Sequence, residues 1–92
     1  MTEPVEFLTL DELCVACALE REWLVVRVQE GLIPATGDAP EWRFTTTTLT
    51  RVRRMREIER TYEAAPELAA LVADMLEQMD DLRARLKRAG LD

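Results

Sequence analysis

Two cysteines, Cys14 and Cys17, are the residues of this 92-residue chain whose types and spacing most directly suggest chemistry. They form a C-x-x-C pattern, which occurs in zinc sites and in thiol–disulfide oxidoreductases. A structural zinc ion needs four ligands, and the chain has no histidine and no further cysteine. The redox motif belongs in a βαβ unit, whereas these cysteines lie within a predicted helix. We therefore interpret the thiols as core residues and expect no metal and no cofactor.

No other grouping of residues predicts catalysis. The absence of histidine removes the commonest general base. The carboxylates are numerous but form no recognisable catalytic pair, and neither a G-x-S-x-G motif nor a phosphate-binding loop occurs. We therefore expect a protein that binds partners and is not an enzyme.

An arginine-rich stretch at residues 51–60 allows two interpretations. One is a stripe that binds phosphates. The other, which we favour, is a solvated helix face whose charges pair along the helix, as Arg53 and Glu57 would. The arginines are Arg51, Arg53, Arg54 and Arg60, and the interleaved acids are Glu57, Glu59 and Glu63.

The charge of the chain is concentrated in its first half. Residues 1–45 hold nine acidic and three basic side chains, a net charge of −6, whereas residues 46–92 hold nine of each. Nucleic-acid binding draws most of its affinity from cations that neutralise phosphates. The acidic half is therefore more suited to hold a basic protein than a nucleic acid.

Length and composition predict one small, mostly helical domain over residues 1–92. Hydrophobic residues make up 48% of the chain, which favours folding over disorder. Met1–Phe7 has no apolar segment of the kind found in export signals, and no stretch approaches the roughly 20 apolar residues of a membrane span. We expect a cytoplasmic protein.

A capping box marks the start of a first helix, predicted over residues 10–18. Thr9 can accept from the amide of Glu12, whose side chain can reach back to Thr9. The extended residues before it can form a short strand. A second helix is predicted over residues 19–30, followed by Gly31, which suits a left-handed C-terminal cap.

The segment after Gly31 predicts a wing. Leu32–Ile33 is extended, and residues 35–40 contain the glycine, aspartate and proline typical of a turn. Trp42–Phe44 alternates apolar and polar side chains, as a short strand does. We expect Leu32–Ile33 to pair with Trp42–Phe44 in a small β-hairpin.

Two further helices complete the predicted fold. One covers residues 47–63 after a run of threonines, and the other covers residues 66–89, with Pro66 in its first turn. The latter is roughly 36 Å long at 1.5 Å per residue. The predicted apolar stripe of the third helix consists of Leu49, Val52, Met55, Ile58 and Tyr62.

The fourth helix carries apolar residues at alternating spacings of four and three, a pattern that we call the heptad seam. The seam could fold back onto the third helix or pair with a second copy, and we favour a homodimer. A further hypothesis is that the chain acts only as an oligomerisation adaptor. The seam consists of Leu68, Val72, Met75, Met79, Leu82 and Leu86.

The second helix contains the residues that we predict to bind a partner. A core stripe through Leu24 and Val28 leaves other apolar side chains on the outer face, and an apolar pair surrounded by acids resembles a protein-binding patch. The alternative is that Trp23 packs on the N-terminal strand or the wing. The predicted partner-binding residues are Trp23, Val26 and Glu30, with Glu20, Glu22, Asp38 and Glu41 as charged surroundings.

The succession of two helices, Gly31–Pro34, a turn, Trp42–Phe44 and a third helix resembles the head of MerR-type regulators. The resemblance implies a mainly α fold: a winged helix-turn-helix head over residues 1–64 with a small β-hairpin wing, then a long C-terminal helix over residues 65–90. In such regulators an Arg-Tyr-Tyr of the recognition helix reaches the DNA backbone. The aligned residues here are Val25–Arg27, so hydrocarbon replaces two of the three polar groups.

A narrower resemblance covers nearly the whole chain. Phe7–Cys14, Gly31–Ile33, Trp42–Phe44 and Met75–Leu86, with its Met-Asp-Asp element, are similar to the chaperone-modulator CbpM family. The resemblance implies a protein that binds the J-domain of a DnaJ-like co-chaperone of the CbpA type and inhibits its co-chaperone and DNA-binding activities. A J-domain presents a basic helix, which an acidic and partly apolar surface would complement.

The alternative is a dimeric DNA-binding transcriptional regulator of MerR type. Such a protein would hold phosphates with Arg43 and the arginines of residues 51–60, and its affinity would fall steeply with salt.

Overall fold

A computed structural model describes residues 7–90 of the chain. The architecture is mainly helical, with two short antiparallel strands and a long C-terminal helix, which confirms the predicted fold class. Glu3 and Glu6, which count toward the acidic charge of the first half, lie outside the described residues. The elements are β1 (Phe7–Thr9), α1 (Leu10–Cys17), α2 (Arg21–Gln29), β2 (Arg43–Thr45), α3 (Thr46–Tyr62) and α4 (Pro66–Arg88).

The capping box that begins α1 is confirmed. The Thr9 hydroxyl accepts from the amide of Glu12 at 3.1 Å, and the Glu12 carboxylate accepts from the amide of Thr9 at 2.8 Å. The hydrogen bond from the Thr9 backbone is the main reason that the pKa of Glu12 lies below its ordinary value. A three-residue turn, 18–20, then leads into α2, so both helices are shorter than predicted.

Gly31 ends α2 as predicted, with a left-handed backbone at a φ of 77°. The amide of Gly31 donates to the carbonyl of Val28 at 3.0 Å, and the amide of Leu32 donates to that of Arg27 at 2.9 Å. This hydrogen-bond pair is the Schellman motif, which satisfies the last carbonyls of a helix and favours glycine at the left-handed position.

The predicted pairing of Leu32–Ile33 with Trp42–Phe44 is wrong. Strand β2 pairs instead with β1, with Leu8 opposite Phe44. The wing is closed by one backbone pair, in which Thr36 and Arg43 exchange hydrogen bonds of 2.8 and 2.9 Å. Leu32–Ile33 makes other contacts. The Leu32 carbonyl accepts a hydrogen bond from Arg51 of α3, and Ile33 is buried in the core.

The core lies where α1, α2, β2, α3 and the first half of α4 meet. The predicted α3 stripe is confirmed for four of its residues. Val52 and Met55 are fully buried, and Leu49 and Ile58 pack against the core. The prediction is wrong for Tyr62, which is 75% exposed at the last residue of α3. The largest fully buried side chains are Phe44, Leu13, Leu24, Ile33, Met55 and Val52.

Helix α4 folds back onto α3, but through a face different from the heptad seam. Its buried residues are Ala69, Ala70 and Ala73, whose small side chains let the two helices approach closely. The five seam residues other than Val72 keep between 45% and 57% of their surface exposed. The seam therefore remains uncovered within one chain.

Arg51 joins three parts of the molecule. Its Nε donates to the carbonyl of Leu32 at 3.0 Å, and its Nη1 donates to Asp74 at 2.7 Å and to Glu77 at 2.8 Å. The prediction of a solvated face is wrong for this arginine, which is buried. Burial alone would lower the pKa of Arg51, but the hydrogen bonds to Glu77 and Asp74 outweigh it and raise the pKa.

Within residues 7–90, none of the helices combines the length and the apolar character needed to cross a membrane.

We expect Arg51→Met to lower the free energy of unfolding by about 1–3 kcal/mol, because it leaves the Leu32 carbonyl without a donor and two acids without their cation. The matched control is Arg53→Met, since Arg53 is exposed and makes a single hydrogen bond, 3.3 Å long, to the Ala16 carbonyl. That control should stay within about 0.5 kcal/mol of the parent. Urea denaturation at one fixed protein concentration measures both, and equal losses would contradict this role of Arg51.

Candidate protein-binding surface

Three of the predicted residues form a stripe along the outer side of α2. Glu22, Val26 and Glu30 follow one another at intervals of four residues, so they lie on one face. All three are exposed, and Val26 keeps 39% of its surface accessible. We call this set the α2 stripe: one aliphatic side chain with a carboxylate about one turn away on either side.

Trp23 is half-buried and does not belong to the α2 stripe. Its indole Nε1 donates to Glu59 of α3 at 3.2 Å, and the guanidinium of Arg27 lies 4.0 Å from the ring centroid. Trp23 thus packs against α3. Neither of the two predictions, an exposed position on α2 or packing on the N-terminal strand or the wing, describes this position fully. A buried indole needs an acceptor for its N–H, and Glu59 provides one.

Arg27 and Glu59 form an ion pair beneath this helix. The Nε of Arg27 donates to Glu59 at 3.0 Å and the Nη2 at 2.6 Å, a two-pronged contact that fixes the guanidinium plane. The Nη1 of Arg27 donates to the carbonyl of Trp23 at 3.1 Å. The two charged side chains are only 12% and 10% exposed. Arg27 is therefore committed inside the protein and is not presented to an outside anion.

Glu59 binds a different element from the one that the sequence predicts. We assigned it to an ion pair along its own helix, whereas it contacts α2 across the interior. The informative signal is the spacing of Trp23 and Arg27, because an aromatic and an arginine four residues apart can stack and present two donors to one acid.

The remaining predicted acids lie near the start of α2 and in the wing. Glu20 is the exposed N-cap of α2, and its side chain makes no capping hydrogen bond. Asp38 and Glu41 are exposed and belong to one turn, in which the amide of Glu41 donates to the carbonyl of Asp38 at 2.9 Å. This turn lies in the wing, so these two acids belong to a different segment from the α2 stripe.

None of these exposed carboxylates is neutralised by a salt bridge within residues 7–90. The described salt bridges use other acids, of which Asp11, paired with Arg21, and Glu59 belong to the head. The negative charge of the surface is therefore available to a partner. The carboxylates concerned are Glu20, Glu22, Glu30, Asp38 and Glu41.

The arginines of α3 mostly face other elements of the protein. Arg54 pairs with Asp80 of α4 at 2.7 Å, and the guanidinium of Arg56 lies 5.8 Å from the Trp23 ring centroid. The prediction of a salt bridge between Arg53 and Glu57 is wrong. Arg53 donates instead to the carbonyl of Ala16 in α1. Arg43 is exposed on β2. Of the predicted phosphate-binding set, Arg51 and Arg54 are thus occupied by ion pairs with α4, whereas Arg43 and Arg60 are exposed and form no salt bridge within residues 7–90.

Cys14 and Cys17 are free thiols that are partly buried beside the core. Burial is the main reason that the pKa of Cys14 is raised, which favours the neutral thiol. Across residues 7–90 no group of three or more potential metal-binding side chains comes together. The packing interpretation of the C-x-x-C pattern agrees with the position of both thiols against the core.

The sequence of this chain matches a known protein family. The family model described as MerR HTH family regulatory protein matches residues 8–89, nearly the whole described chain. No curated protein matches the chain, and no solved structure does. The matched range includes both helices of the helix-turn-helix, the wing and α4. The chain belongs to the MerR HTH family of regulatory proteins.

Proposed function

We propose that this protein is a non-catalytic modulator that binds the J-domain of a DnaJ-like co-chaperone of the CbpA type. Binding would inhibit the co-chaperone and its DNA-binding activity. The observation that carries the proposal is the orientation of α2: Glu22, Val26 and Glu30 lie outside, while Arg27 is paired with Glu59 inside. The helix that a DNA-binding relative would present to phosphates thus offers carboxylates and a methyl-rich side chain.

Electrostatics favours a basic protein as the partner. A phosphate backbone would meet five exposed carboxylates that have no salt bridge within residues 7–90, and it would gain few cations in return. A basic helix would instead be attracted to the same surface, which raises the rate of association and excludes acidic competitors.

The apolar centre of the α2 stripe supplies what charge alone does not. Interfaces draw most of their affinity from a few desolvated contacts within a polar rim. Val26 lies between two carboxylates on this stripe and is 39% exposed. The half-buried Trp23 supports the stripe from below by holding Arg27 and Glu59 in place.

Family membership favours a second candidate, a DNA-binding transcriptional regulator. The exposed Arg43 is available to a phosphate in that case. Arg51 and Arg54, by contrast, already pair with acids of α4, so using them would break contacts that hold α4 in place.

We expect Glu22→Lys and Glu30→Lys each to weaken binding to the cognate J-domain about tenfold or more, because each replaces an attraction to the basic helix by a repulsion. Isothermal titration calorimetry at low and high salt measures the effect, and added salt should weaken the parent complex. Glu57→Lys on α3 is the control, since it makes the same change of charge at an exposed position away from α2. Equal losses in all three variants would indicate only an effect of net charge.

The apolar contact is tested by two valines of the head. We expect Val26→Asp to weaken J-domain binding about tenfold or more, because it places a carboxylate at the desolvated centre of the interface. Val15→Asp is the matched control on α1, where the side chain is 83% exposed. Both substitutions are at exposed positions and should leave the fold intact by circular dichroism. A loss confined to Val15→Asp would move the site to α1.

The DNA-binding candidate predicts a different result. On our proposal the parent protein should show no mobility shift at low salt, with promoter or random DNA, because its head repels phosphates. Specific retardation that is lost in Arg43→Ala would instead establish the transcriptional regulator. A J-domain titration with the same preparation shows that the protein is active.

A further inference from the structure

A shallow groove lies between α3 and α4, and we call it the α3–α4 groove. Its volume is about 380 Å³, within the range of pockets that hold small molecules, and it is open to solvent. None of its lining residues belongs to the α2 stripe or to the heptad seam, so the groove is a separate surface. The lining residues are Arg53, Arg54, Glu57, Ile58 and Leu76.

The apolar part of the groove continues the contact between α4 and α3. Leu76 follows the buried Ala69 and Ala73 on the same face of α4, at a spacing of three residues from Ala73. Unlike these alanines, Leu76 is only half-buried, and so is Ile58, which packs against the core from α3. A ligand that covers both side chains removes apolar surface from water, so the groove favours a hydrocarbon chain.

Arg53 supplies a cation at the edge of this apolar surface. Its side chain is exposed, forms no salt bridge within residues 7–90, and makes one long hydrogen bond, 3.3 Å, to the carbonyl of Ala16. A guanidinium has several N–H donors, so this bond leaves others for an anion. A carboxylate matches the guanidinium fork best, because it can accept two parallel hydrogen bonds.

The other charged residues of the groove give it a direction. Arg54 is neutralised by Asp80 at 2.7 Å, across from α3 to α4. The carboxylate of Glu57 accepts from the hydroxyl of Thr61 at 3.2 Å, one turn further along α3 and away from Arg53. An anionic group is therefore attracted to the Arg53 end of the groove and repelled from the Glu57 end.

We propose that the α3–α4 groove binds a small amphipathic carboxylate of the medium-chain fatty-acid type. The hydrocarbon chain covers Ile58 and Leu76, and the carboxylate accepts hydrogen bonds from Arg53. Because the ligand contacts both α3 and α4, its binding stabilises the folded protein by mass action. This site goes beyond the proposed function, since it uses none of the residues of the α2 stripe.

Isothermal titration calorimetry of the full chain with decanoate, below the concentration at which decanoate forms micelles, tests the charged contact. We expect a single site, and Arg53→Gln should weaken binding about tenfold or more, because an amide offers the carboxylate no charge. Arg60→Gln is the matched control, since Arg60 is exposed on the same helix, has no salt bridge within residues 7–90 and lies outside the groove. That control should bind decanoate like the parent, and circular dichroism should show both variants folded.

Two leucines of α4 test the apolar contact. Leu76→Gln should weaken decanoate binding about fivefold or more, because it places an amide against the hydrocarbon chain. Leu82→Gln makes the same change on the heptad seam, where the side chain is 56% exposed, and should leave the affinity unchanged. This pair of variants separates the groove from the seam, which could also attract a hydrocarbon chain.

Decanol tests recognition of the carboxylate without any mutation. It carries the same chain with no charge, and the parent should bind it about tenfold more weakly than decanoate or worse. The melting temperature of the parent should accordingly rise with decanoate and much less with decanol at the same concentration.

Three results would overturn the proposal. The absence of both binding heat and thermal stabilisation by decanoate would show that the groove has no such ligand. Equal affinities for decanoate and decanol, or an unchanged affinity in Arg53→Gln, would show that the carboxylate is not recognised. A loss of binding confined to Leu82→Gln would place the hydrocarbon chain on the heptad seam.

Discussion

The contacts of Arg51 are the interaction on which the rest of the structure depends. One guanidinium binds the carbonyl that follows the cap of α2 and two carboxylates of α4. It therefore fixes three segments that are distant in sequence. The same contacts exclude Leu32–Ile33 from a wing strand, turn the alanine face of α4 toward α3 and leave the heptad seam outside. Burying an arginine is favourable only when its donors are satisfied, so these consequences occur together.

A second internal ion pair determines what the surface presents. In α2, Arg27 turns inward to Glu59, and the outer stripe consists of Glu22, Val26 and Glu30. The helix-turn-helix fold is retained, while the arginine of α2 that could reach a phosphate, Arg27, is turned away from the surface. The proposed function would use this scaffold for a basic protein, because the fold positions a helix and the side chains decide what that helix binds.

Local signals in the sequence predicted the elements well. The Thr9–Glu12 capping box, Gly31 and Pro66 each act within a few residues, so α1, α2 and α4 begin or end close to the predicted positions. The partner of β2, the acid bound by Arg27 and the acids bound by Arg51 depend on contacts between distant segments. Arginine and glutamate patterns along one helix do not reveal such contacts, because a long side chain can reach a neighbouring element as easily as the next turn. The same reasoning explains why the exposure of Val26 was predicted correctly, whereas that of Trp23, which contacts α3, was not.

The alanine face of α4 has a consequence for how this protein can be divided. Ala69, Ala70 and Ala73 belong to the same buried cluster as Leu13, Leu24 and Phe44, so the long helix completes the core of the head. A fragment that ends at Ala65 would lack three residues of the buried core and would leave Arg51 without its two acids. The acidic head and α4 therefore fold as one unit, and grafting the head onto another protein requires α4 as well.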